Sequence, residues 1–197
     1  MPISKIQKMV QEYTDLHKPI HDVELDGYAK ELTRYGNAVF VRGFRTRDKD
    51  GRVITSIEQM QKGMKVFLNN EHQYRTRKET KDRLILALDE CHLQITPSMT
   101  FEKLYSEVER VLGPMTDLLH YDITLRIGAV NSIRPKDYVY LHAGALKGAI
   151  ALQQHYPQLN VETPCVKLSE FVDVAKELQG FTAYDVEHFL CVNHKRL

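Results

Sequence analysis

Phe101-Glu102-Lys103-Leu104-Tyr105-Ser106-Glu107-Val108-Glu109-Arg110-Val111-Leu112-Gly113-Pro114-Met115-Thr116-Asp117-Leu118-Leu119 is the stretch that sets the fold class. Phe101, Leu104, Tyr105, Val108, Val111 and Leu112 recur at three- and four-residue intervals, which places one apolar stripe along a helix over 101–112. Thr100 stands where a helix cap is wanted. Gly113-Pro114 then breaks the period, and a second helix is expected over 116–130, with Leu118, Leu119, Ile123, Ile127 and Val130 on its core face. A helix, a tight Gly-Pro corner and a second helix form an αα-hairpin, so the surrounding fold is expected to be mainly α.

Working outward, the same period continues on both sides. Ile3, Ile6, Met9 and Val10 share a face of a helix expected over 3–14 and ended by Pro19. Residues 22–35 follow, from an Asp22 cap to a Gly36 stop. Residues 56–68 open on Ser56-Ile57-Glu58-Gln59, a capping-box pattern. Residues 77–93 carry Leu84, Ile85, Leu86, Leu88 and Leu93. Beyond the hairpin, 143–155 reads as a small-residue helix, and Ser169 and Thr182 cap helices over 169–179 and 182–191.

Two stretches differ from this pattern. Asn37 to Thr55 alternates around Lys49-Asp50-Gly51, which signals a β-hairpin. Asp137-Tyr138-Val139-Tyr140-Leu141 suits a short extended segment, and Pro157 to Pro164 reads as a connector. The expectation is one helical domain over residues 1–197, of about nine helices with one small hairpin. The points at which a subdomain split would fall are near residues 55 and 97.

The bulk composition narrows the function classes. The 197 residues carry 27 Lys and Arg against 26 Asp and Glu, a formal net charge of +1. No global field draws such a chain onto nucleic acid or an anionic membrane, so polyanion binding needs a local patch. Cys91, Cys165 and Cys191 are odd in number and lack a CxxC pair, which argues against a disulfide framework and a cysteine-rich zinc site. Met1-Pro2-Ile3-Ser4-Lys5 has no apolar signal region, and no apolar run approaches the ~20 residues of a membrane span. A reducing, cytoplasmic setting without a membrane partner is the expectation. No motif calls for a metal or a cofactor. His17 and His21 are separated by Pro19, Glu187 and His188 are adjacent and so point apart, and Gly144-Ala145-Leu146-Lys147-Gly148 lacks the phosphate-loop spacing.

Three places hold candidate chemistry. His72 to Arg83 contains five Lys or Arg residues, Arg75, Arg77 and Lys78 among them, against two acids. With Arg42, Arg45, Arg47 and the aromatic Tyr74 and Phe44, it has the composition of a phosphate-binding patch; the alternative is a solvated helix start. The second place is the Gly113 corner, where Thr116 opens a helix whose N-terminal amides suit an anion. The third is the run from Asp122 to Lys147. There Asp122 and Arg126 stand one turn apart, either as a solvated ion pair or as a carboxylate holding a guanidinium toward an anionic ligand. Tyr140, His142 and Lys147 complete this set, His142 being suited to proton transfer or, alternatively, to capping the next helix.

The segment around Gly113 resembles the helix-hairpin-helix turn of the DNA glycosylases of that name, over about 30 residues of a chain of 197. Gly113 matches the second glycine of that turn and Thr116 its helix-opening position. Val111 replaces the first glycine, and Asp117 stands where a small residue is usual. The resemblance implies a catalytic aspartate some two dozen residues on, at Asp137, and Met115 in place of the lysine nucleophile implies that lyase chemistry is absent.

The leading functional expectation is a protein that binds a phosphate-bearing ligand, DNA or RNA, through residues 72–83 and the 113–126 turn and helix. A second reading is a small-molecule enzyme or ligand-binding protein with a cleft around Asp122, Arg126 and His142. A third is a helical interaction module without catalysis. The sequence leaves open whether the chain is an enzyme.

Overall fold

The structure is a computed structural model that describes residues 4–19, 21–22, 79–80, 83, 95–96, 98–161 and 164–197. These residues are mainly helical, with one two-stranded antiparallel sheet. Six α-helices lie among them, against the nine expected for the whole chain. The helices expected over 22–35, 56–68 and 77–93, and the hairpin expected over 37–55, lie outside the described residues save for a few positions. The chain divides into two compact units, one of residues 1–18 and 135–197, the other of residues 19–134.

In the first unit, α1 (Lys5–Glu12) begins at a Ser4 capping box, Ser4 accepting from the Gln7 amide while the Gln7 side chain accepts from that of Ser4. A π-helical turn follows over Tyr13–His17, and the Lys18 amide donates to the Tyr13 carbonyl. Residues 18–19 are helical as well, so Pro19 does not end the helix where the sequence places its end. A proline ring collides with the carbonyl four residues earlier in a regular α-helix, and the wider π-turn displaces that carbonyl.

Strand β1 (Tyr138–Tyr140) pairs antiparallel with β2 (Cys165–Lys167), setting Val139 opposite Val166. The Leu141 amide donates to Pro164 and the Leu168 amide to Asp137, which extends the pairing at both ends. Residues 157–161 and 164 are irregular, as the connector reading of 157–164 has it, and β2 directly after them is not marked in the sequence. Three residues are too few to show a period in sequence. Between the strands lies α4 (Ala143–His155), which follows α2 (Phe101–Leu112) and α3 (Asp117–Val130) in chain order. The helix expected over 169–179 is instead α5 (Leu168–Val174) and a 3-10 turn over Lys176–Leu178. Ser169 is not its cap: Lys167 holds that position without a side-chain hydrogen bond, because β2 runs directly into the helix.

The last helix, α6 (Ala183–Asn193), opens on a capping box between Thr182 and Asp185. It packs most extensively on α4 and also on β1. The core of the unit joins Ile6, Met9 and Tyr13 of the N-terminal segment to Val139, Ala149, Leu152, Val166, Phe171, Phe189 and Leu190. A two-stranded sheet is marginal in water, and burial of Val139 and Val166 in this core is what holds it.

In the second unit, α2 (Phe101–Leu112) and α3 (Asp117–Val130) form the expected αα-hairpin. Thr100 caps α2 by accepting from Lys103, and Thr116 caps α3 by accepting from Leu119. Gly113 joins them at φ 71°, a conformation that glycine adopts without strain. Phe101 meets Tyr121 edge-on at 5.9 Å. The C-terminus of α3 closes as a Schellman motif: Ser132 takes φ 57°, its amide donates to Ala129, and the amide of buried Ile133 donates to Gly128.

Candidate functional site

The α2–α3 corner is open to solvent. Thr116 is exposed and Gly113 half-buried. Arg83, the last residue of the basic segment, reaches this corner and donates from Nη1 to the Leu112 carbonyl at 2.8 Å. Its cation thus satisfies a C-terminal carbonyl of α2, where the helix dipole favours positive charge. The other end of the corner carries the opposite preference, for Asp117 occupies the first turn of α3. Arg75, Arg77 and Lys78 lie outside the described residues.

Helix α3 is buried on every side from Leu119 to Ala129. Asp122 and Arg126 are 7% and 1% exposed, so they do not form the solvated ion pair that their spacing alone would suggest. Arg126 is among the most completely enclosed large side chains described. Buried charge on this scale is retained only with compensating partners. The hydroxyl oxygen of Thr124 is buried on the same helix.

His120, one turn before Thr124, donates from Nε2 to the Tyr105 carbonyl at 2.7 Å, and its ring lies 3.6 Å from that of Tyr105. Burial holds its pKa below the ordinary histidine value, against the opposing pull of that hydrogen bond and of Glu109 and Asp117.

The first unit holds a second set of buried polar groups. Tyr140 ends β1 and His142 stands two residues on, each 5% exposed. His142 has the N-cap position of α4, but its side chain makes no capping hydrogen bond. Its Nε2 instead lies 3.6 Å from Oε1 of Glu187 on α6, an ion-pair distance, with both side chains buried. Asp185 and His188, on the same helix, meet Lys18 at 2.5 Å and the Tyr13 hydroxyl at 3.1 Å. Asp137 and Lys147 are exposed, unlike this buried group.

The small residues of α4 have a packing role. A Cβ on Gly144 would lie 2.8 Å from Cys191 Sγ, and one on Gly148 would lie 2.3 Å from the Leu190 carbonyl oxygen. The bare backbone of α4 is therefore pressed against α6, and this accounts for the two glycines without a ligand.

Sequence reasoning does not single out Glu187, Asp185, Lys18 or Tyr13. Adjacency of Glu187 and His188 signals only that they diverge. That they diverge toward His142 and Tyr13 has no local trace. Among the described residues, no group of three His, Cys, Asp or Glu side chains is placed to hold a metal ion, and no helix is long and apolar enough to cross a membrane. Set against known protein families, curated proteins and solved structures, the chain matches none.

Proposed function

We propose that this protein binds a phosphate-bearing ligand, nucleic acid by class, at the corner between α2 and α3, as a diverged relative of the helix-hairpin-helix glycosylases. The observation that supports this reading is Arg83 at the corner, its guanidinium 2.8 Å from the Leu112 carbonyl and beside the positive-φ turn at Gly113. One nitrogen of the guanidinium serves that carbonyl, and the fork has further donors suited to a phosphate oxygen. The exposed Thr116 cap and the first amides of α3 stand on the other side of the same turn. A cationic fork and a helix N-terminus across one glycine corner is an arrangement that recognises backbone phosphate rather than base identity. The test is binding of fluorescent single- and double-stranded DNA across a salt series. Affinity that falls as salt rises is the expected result, and salt-independent or absent binding contradicts the reading.

A second reading, a small-ligand enzyme that uses His142, is favoured by a separate observation. The imidazole is turned inward onto Glu187 and does not cap α4. Its test is hydrolysis of p-nitrophenyl phosphate and p-nitrophenyl acetate, with His142→Gln expected to abolish any rate. Turnover unchanged in that variant rejects the reading.

A further inference from the structure

We draw no further inference here: the strongest candidate, the groove lined by Val10 of α1, Asp15 of the π-helical turn and Glu177 of the 3-10 turn, rests on a cluster of carboxylates that accept hydrogen bonds from Gln11, Ser4 and Tyr156 of the protein itself, and nothing in the structure shows what covers it.

Discussion

His120 shows at the scale of one side chain how burial sets chemistry. Its ring is buried against Tyr105, and that burial penalises the charged form more than the Nε2–H bond to the Tyr105 carbonyl favours it. The pKa in the folded protein is accordingly below the ordinary value of 6.5. The unfolded chain then takes up the proton first as pH falls. The stability from this residue is complete above 6.5 and is lost as pH drops toward the lower folded value. Denaturant unfolding at pH 8 and pH 5 is expected to show this loss, and His120→Gln to reduce it. Asp117 supplies a second test at this scale. In the proposed phosphate-binding corner its charge would compete with the ligand for the start of α3, so Asp117→Asn is expected to tighten DNA binding several-fold, on the order of 0.3–1 kcal/mol, measured by fluorescence anisotropy. Weaker binding in that variant would place the phosphate elsewhere.

Between elements, the closest packing is that of α4 on α6. A methyl group on Gly148 would stand 2.3 Å from a backbone oxygen, which no side-chain rotation relieves. Gly148→Ala is expected to cost about 1–3 kcal/mol in a denaturant melt. Gly180→Ala is the comparison, for there the φ of 91° is strained but the space beside it is open. A Gly148→Ala melt that matches wild type would mean that the helices do not meet backbone to backbone.

Helices with a stop, a cap and a period were legible in the sequence. The span of α2 and its Thr100 cap follow from Phe101, Leu104, Val108 and Leu112 alone. The span of α4 was legible too, but the reason for its glycines was not, because their partner is a backbone distant in sequence. The break at Ala175 was hidden because Phe171 and Leu178 are both buried and keep a helical spacing across it. For the same reason the exposure of Asp122 and Arg126 was undecidable: an i,i+4 pair looks alike on a wet face and in a core.

Over the whole molecule, charge decides what kind of binding to expect. A net charge of +1 gives no long-range attraction, so phosphate recognition has to rest on a few local groups. The candidate-site residues divide between the two units: Gly113, Thr116, Asp122 and Arg126 belong to residues 19–134, while Asp137, Tyr140, His142 and Lys147 belong to the other. The basic segment was recognisable by composition, yet its role turns on where one member, Arg83, ends up. The measurement that bears most directly on the proposed function is therefore the slope of log affinity against log salt for double-stranded DNA, in wild type and in Arg83→Ala. The predicted result is a negative slope that becomes shallower by about 0.9 in the variant, as expected when one phosphate fewer is neutralised. Equal slopes and equal affinities in the two proteins would contradict it.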